Sequence, residues 1–230
     1  MSNRLRATSV LLLVALQSPL ACFTLSRESP RLQRFVLSGA VPPMTSTDVG
    51  IMIGLRRIDV ASYLTVPSIV VRRGENEVMV SEFHRWGESL SDGINRVVAA
   101  NLAGVPPVRA VDVAPWPVRA RHNYIVQLHV ARFEGVADSA ATRGGIHVSA
   151  TWDILSPHDG AVLVRGSTDD RRGSWWVGDY AGLVTALDAA LVRLAGDITQ
   201  CLSGFRNDST PPARCARDAP AASVKTPASV

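Results

Sequence analysis

Between Ile146 and Ile154 the chain alternates without a break. Ile146, Val148, Ala150, Trp152 and Ile154 are apolar, and His147, Ser149, Thr151 and Asp153 between them are polar or charged. Successive strand side chains point to opposite faces, so this run predicts a strand with one buried face. Val126, Leu128 and Val130 alternate in the same way with Gln127 and His129, and Val49, Ile51, Ile53 and Leu55 predict a third strand. Ile69–Arg72 and Val78–Phe83 flank the polar, glycine-containing connection Arg73-Gly74-Glu75-Asn76, the pattern of a hairpin. Val108–Val113 and Ala161–Arg165 are shorter strand candidates.

Two segments carry helical spacing instead. In Ser89–Ala103 the apolar positions Leu90, Ile94, Val97, Val98 and Leu102 recur three or four residues apart, and Pro106-Pro107 blocks continuation. In Asp179–Leu202 one stripe runs through Tyr180, Leu183, Val184, Leu187, Leu191, Leu194, Ile198 and Cys201. Asp179 suits the N-cap, and Gly204 suits a stop just past the last turn. Strands, a hairpin, a helix, more strands and a final helix predict a single α/β (α+β) domain. Its sheet is mixed or mostly antiparallel, with two amphipathic helices packed on one face.

The N-terminal residues have another character. Met1–Ala21 holds Arg4 and Arg6, no acidic residue, and the apolar run Ala7–Leu16 broken only by Thr8 and Ser9. That is the pattern of a secretory signal, and it is shorter than the roughly 20 apolar residues a membrane-spanning helix needs. Leu20-Ala21-Cys22 resembles the end of a bacterial lipobox, with Pro19 where leucine is usual. Cleavage after Ala21 would leave Cys22 as an acylated N-terminus, palmitate being one of the expected acyl chains. The rival is a plainly secreted protein with a free or paired Cys22. Phe23, not aspartate, follows the cysteine, which points to the outer membrane.

The expected organisation is a signal peptide over 1–21, an anchor and tether over 22–33, a folded domain over 34–205 and a disordered Pro/Ala-rich tail over 206–230. Removing the signal lowers the net charge from +4 to +2. With no long basic run and no arginine–aromatic stripe, nucleic acid is excluded as a partner. Cys201 and Cys215 remain. In an oxidising compartment they suggest a disulfide, the alternative being two free thiols.

No catalytic constellation emerges, and no cofactor motif. His84, His122, His129, His147 and His158 show neither H-x-x-x-H nor H-x-H spacing, and none sits at metal-ligand distance from a cysteine. His129 and His147 lie on the polar faces of expected strands and could be cross-strand neighbours, though solvated histidines are the simpler reading. No nucleophile elbow, dinucleotide fingerprint or phosphate-binding loop is present. Ser38-Gly39 and Ser203-Gly204 lack a base. Asp169-Asp170-Arg171-Arg172 reads as a solvated charged loop, because adjacent arginines oppose cation binding. No metal site and no enzyme are expected.

The tryptophans are more informative. Arg85 and Trp86 lie between the hairpin and the first helix, and Trp175 and Trp176 just precede the second. Large aromatics at such junctions either close a core or anchor an interface. Trp86 is expected to close the core.

Several ordered blocks carry a family resemblance. They are Cys22-Phe23-Thr24-Leu25, Arg34-Phe35-Val36-Leu37, Val49-Gly50-Ile51, Ala61-Ser62-Tyr63-Leu64 and Pro67–Arg72. Glu82-Phe83-His84-Arg85-Trp86-Gly87-Glu88-Ser89-Leu90 is the most specific. Ile94-Asn95-Arg96-Val97, Asn101-Leu102 and Asp179–Val184 complete the order. In these features the chain resembles the PqiC/YmbA family of ABC-type transport auxiliary lipoproteins. It departs from the pattern at Pro19, Val66 and Gly87. The resemblance implies a non-catalytic lipoprotein on the periplasmic side of the envelope. The implied partners are an MCE-domain protein and inner-membrane transporter components that move lipids between membranes, with a homo-oligomeric ring as the implied assembly.

Two rivals make different demands. A stand-alone periplasmic carrier of lipids or small molecules needs an apolar cavity of roughly 300 Å³ or more. A hydrolase needs a nucleophile within reach of a base.

Overall fold

The structure is a computed structural model, and it describes residues 30–38, 50–103, 105–137, 142–207 and 214–216. The signal peptide, Cys22 and Val49 lie outside the described residues. The chain divides into a unit Met1–Arg31, of which Pro30 and Arg31 are described, and a unit Leu32–Val230 that holds every element below.

The described elements are β1 (Gln33–Phe35), β2 (Ile51–Leu55), β3 (Asp59–Val60), a 3-10 turn (Ser62–Leu64), β4 (Ser68–Arg73), β5 (Glu77–Trp86), α1 (Leu90–Ala103), β6 (Val108–Val113) and β7 (Tyr124–Ala137). After these come β8 (Arg143–Leu155), β9 (Val162–Asp170), β10 (Ser174–Trp176), α2 (Tyr180–Asn207) and β11 (Arg214–Ala216). All eleven strands join one mixed sheet, with α1 and α2 as its helices: an α+β domain. No described helix is long and apolar enough to cross a membrane.

β7 and β8 form the spine. They pair antiparallel from Ile125↔Leu155 to Val136↔Gly145. The other edge of β7 is shared by three parallel strands in turn: β2 at Ile53↔Tyr124, β3 at Asp59↔His129 and β4 at Val71↔Gly135. The register slips between Val130 and Arg132. One extra residue there changes the phase of the strand, as a β-bulge must. Val126, Leu128 and Val130 are therefore buried before it, and Phe133, Gly135 and Ala137 after it.

The apolar residues of β8 form the sheet's inner surface, all of them buried: Ile146, Val148, Ala150, Trp152 and Ile154. α2 lies against this surface along the stripe expected for it, and α1 packs beside it and against β6. Gly135 has no Cβ, and Leu183 of α2 and the Trp175 ring fill the place one would take. Ser89 caps α1 by accepting the Asp92 amide at 3.2 Å, and Asp179 caps α2 by accepting the Gly182 amide at 2.9 Å.

Three expectations change. α2 does not stop at Gly204 but continues to Asn207. Gly204 does not take a positive φ, so it does not adopt the left-handed cap that ends many helices. Structure also continues past the expected boundary at residue 205, because β11 pairs parallel with β9 through Cys215↔Gly166. Cys201 near the end of α2 is joined to Cys215 by a disulfide, with Cα atoms 5.6 Å apart. Finally, Asp169 and Asp170 belong to β9 and not to a solvated loop. Asp170 is buried, bonded to Arg172 in the turn beyond and to Arg193 of α2. The sequence cluster hides this because the partner that draws Asp170 inward is distant in the chain.

Trp152 lies across its cross-strand partner Gly166, where a Cβ would sit 2.1 Å from the indole. Gly166→Ala must displace a fully buried ring. We expect the substitution to cost at least about 1–3 kcal/mol, the usual range for overpacking, and to lower the melting temperature by several degrees. A melting curve that matches the wild type would refute this packing.

Candidate interaction surface

The most specific sequence block folds into an irregular piece of β5. Ser68 pairs with Arg85 and Val70 with Val80, so five steps along β5 oppose two along β4. The surplus residues loop out as a bulge. Ser81 closes it: its hydroxyl accepts the His84 amide at 3.3 Å and lies 2.8 Å from His84 Nδ1. Burial lowers the His84 pKa, favouring the neutral ring.

The His84 ring stacks on Tyr180, the first residue of α2, with centroids 3.8 Å apart. Tyr180 in turn meets Trp175 at 6.1 Å, and His84 meets Phe35 of β1 at 6.1 Å. Four rings from four elements thus form one joint, tying the outer strands to the start of α2. Trp86 lies just inside, 7% exposed and tilted against Phe133 at 6.2 Å. Its amide donates to Pro67 O at 2.7 Å.

The opposite face of the sheet holds a charged lock. Glu134 is fully buried, and it accepts hydrogen bonds from Arg72, from Arg132 at 3.5 Å and from the Tyr63 hydroxyl at 2.8 Å. Burial and the adjacent carboxylate push the Tyr63 pKa up to about 12. These bonds fasten the 3-10 turn onto β7. A cleft of about 610 Å³ beside the lock is lined by Arg72, Arg132, His147 and Arg171, among other residues.

Three histidines bond carboxylates distant in sequence or on a neighbouring strand: His122, just before β7, with Asp112 of β6 at 2.9 Å, His129 with Asp59 at 2.8 Å and His147 with Asp169 at 2.6 Å. His147 is buried, not solvated as its position on a polar strand face suggested, and its ring bonds Asp169 of β9. His129 and His147 are not cross-strand neighbours; they face Thr151 and Glu134 respectively. No group of three or more His, Cys, Asp or Glu able to hold a metal occurs among the described residues. Ser81 and His84 are at hydrogen-bond distance, but they close a bulge.

A family model for the ABC-type transport auxiliary lipoprotein component matches residues 35–199, which includes this joint, α1 and most of α2. The chain belongs to that family. Among solved structures, protein XCC0632 from Xanthomonas campestris is similar at 18% identity and a TM-score of 0.64. The match covers 77% of this chain and 99% of that one. An uncharacterized protein matches at 14% identity and a TM-score of 0.55, over 74% of this chain and 97% of its own. At such identities the likeness concerns the fold. No curated protein matches the sequence.

In this transport auxiliary lipoprotein the four side chains singled out in the sequence divide evenly. Trp86 and Trp175 point inward, and the Trp175 indole donates to Gly145 O at 2.8 Å. Arg85 and Trp176 are exposed, and the Arg143 guanidinium lies 4.2 Å from the centre of the Trp176 ring. Phe83, at the tip of the bulge, is also exposed. Sequence reasoning missed the bulge itself. Its signal was the break in period-2 order between Val80 and Arg85.

Trp86→Ala should cost about 3–5 kcal/mol, the usual loss for a buried tryptophan, and lower the melting temperature sharply. Trp176→Ser should change stability by no more than about 0.5 kcal/mol. Thermal unfolding of both variants checks the contrast, and a stable Trp86→Ala chain would move that residue from the core to an interface.

Asp170 yields a pH prediction. Burial works to raise its pKa, but bonds from Arg172 and Arg193 hold it below the ordinary carboxylate range. The unfolded chain therefore binds this proton more readily. The stabilisation is complete above about pH 4 and is lost as the pH falls through the folded value. Asp170→Asn should melt lower than wild type at pH 7, with the gap narrowing below pH 4. A gap independent of pH would contradict the ion-pair account.

Proposed function

We propose that this chain is a non-catalytic lipoprotein, anchored through an acylated Cys22. In this reading it is an auxiliary component of an MCE-type, ABC-driven system for intermembrane lipid transport. It docks the conduit at the outer membrane from the periplasmic side, as one subunit of a homo-oligomeric ring. The observation that carries the reading is the family match over residues 35–199. The domain supports it physically: one rigid sheet, a polished aromatic joint and exposed aromatic side chains suit an assembly part.

The stand-alone carrier reading has less support. Two clefts among the described residues include charged groups in their lining, one Arg72, Arg132 and Arg171 beside Val136 and Ile146, the other Arg57, Asp92 and Arg96 beside Ala99 and Val113. An acyl chain would meet charge in either. Among the described residues, the hydrolase reading has only the Ser81–His84 contact, which serves the bulge.

Affinity purification of the detergent-solubilised protein, with mass spectrometry of what accompanies it, tests the proposal. An MCE-domain protein and inner-membrane transporter subunits should co-purify, and the mature N-terminus should be acylated Cys22. A chain that purifies alone with bound lipid would overturn the conduit role in favour of a carrier. An unmodified N-terminus would remove the anchor.

A further inference from the structure

The cleft beside the charged lock holds hydrogen-bond donors that its own carboxylates do not use up. Arg72 of β4, Arg132 of β7, His147 of β8 and Arg171 just beyond β9 all border its volume of about 610 Å³. Two carboxylates beneath them are already engaged. Glu134 accepts from Arg72 on both oxygens and from the Tyr63 hydroxyl on one. Asp169 meets His147 through Oδ1 at 2.6 Å and Arg171 through Oδ2 at 3.3 Å.

The three arginines are held very differently. Each guanidinium presents several N–H donors in a planar fork. Arg72 turns its donors to Glu134 and to the Glu75 carbonyl, and its side chain is only 13% exposed. Arg132 is 39% exposed and reaches Glu134 only at 3.5 Å, at the oxygen that Arg72 Nε already occupies. Arg171 is 70% exposed and pairs with Asp169 through Nε. Both of these outer guanidinium groups are therefore accessible to a molecule entering the cleft. Asn76, in the exposed β4–β5 connection, adds an amide to the same border.

We propose that this cleft binds a phosphate group, free or carried on an ester of headgroup size, with Arg132 and Arg171 as its principal binding groups. The donors come from β7, from beyond β9 and from the hairpin connection, so they enter a common space from separate elements. A carboxylate offers two oxygens in one plane, whereas the tetrahedral oxygens of phosphate accept from several directions, and guanidinium forks match them. The cleft is larger than one inorganic ion, and Val136 and Ile146 on its border suit the carbon of an ester substituent. Glu75 borders the cleft as well and opposes an anion there, which keeps binding reversible. The proposal stands on the cleft alone and holds or fails independently of the transport role.

The test is calorimetric titration of the purified full-length mature protein, in non-ionic detergent at low salt, with three probes. These are inorganic phosphate, glycerophosphoglycerol as a lipid headgroup without acyl chains, and succinate. Phosphate should bind saturably, and Arg132→Gln and Arg171→Gln should each weaken it about tenfold, the usual loss for a charge-assisted bond. Glu75→Gln should tighten it severalfold, an effect that a merely structural role for these side chains would not produce. Arg165→Gln removes an exposed arginine that pairs with Asp153 and does not border the cleft, and it should bind as wild type does. Tighter binding of glycerophosphoglycerol than of phosphate supports a lipid headgroup as the source, and the reverse order supports free phosphate. No saturable binding up to about 10 mM would overturn the proposal, as would an equal loss in Arg165→Gln. So would succinate that binds as tightly as phosphate, an outcome that gives the cleft to an acidic protein segment. Melting curves verify that the variants fold, and Arg72 is left intact because it satisfies Glu134. If Arg132→Gln does not fold, Arg171→Gln at its more exposed site decides the question.

Discussion

Everything in this domain hangs on one shared edge. β7 is paired along nearly its whole length with β8 on one side, and on the other it serves β2, β3 and β4 in succession. A sheet built this way splits into two arms, β2–β6 and β4–β5–β1, which meet only through β7. The bulge near Ala131 lies between the β3 and β4 contacts, where one arm gives way to the other. It also resets the phase, so that Phe133 and Gly135 face the helices while Glu134 faces away. Glu134 can be buried there only because Arg72, Arg132 and Tyr63 satisfy its charge; an unpaired buried carboxylate would cost several kcal/mol.

The second constraint is the junction between the β1–β5 arm and α2. Helix burial alone fixes α2 against β7, β8 and β9, but leaves the outermost strands dependent on one another. The stacked His84–Tyr180 pair and its neighbours Phe35 and Trp175 supply the missing tie. The block Glu82–Leu90 is thereby explained as structural: Phe83 and His84 belong to the bulge, and Trp86 closes the core behind it. At the other end of α2, the Cys201–Cys215 bridge holds β11 along β9, next to the Trp152–Gly166 contact.

The long periodic segments were legible from sequence because their own residues determine their faces. Ile146–Ile154 and the stripes of both helices needed no partner to be recognised. β1, β3, β10 and β11 were not legible, since strands of two or three residues have no period and exist only through pairing with longer neighbours. Trp175 and Trp176 show the same limit. They are adjacent in sequence with identical side chains, yet strand alternation buries one and exposes the other. The pairs of His122, His129 and His147 with carboxylates, and the burial of Asp170 against Arg193, depend on register and on long-range packing that no local motif encodes.

Family membership, an inward-turned aromatic joint and arginine-lined clefts together favour a part that holds other components in place over one that acts on substrate. The most direct test is the movement of radiolabelled phospholipid between inner and outer membranes, compared in cells with and without this chain. The account predicts slower exchange when the chain is absent, and the same defect when Cys22→Ser leaves a folded but unanchored domain. Exchange that proceeds at the wild-type rate without the chain would contradict it.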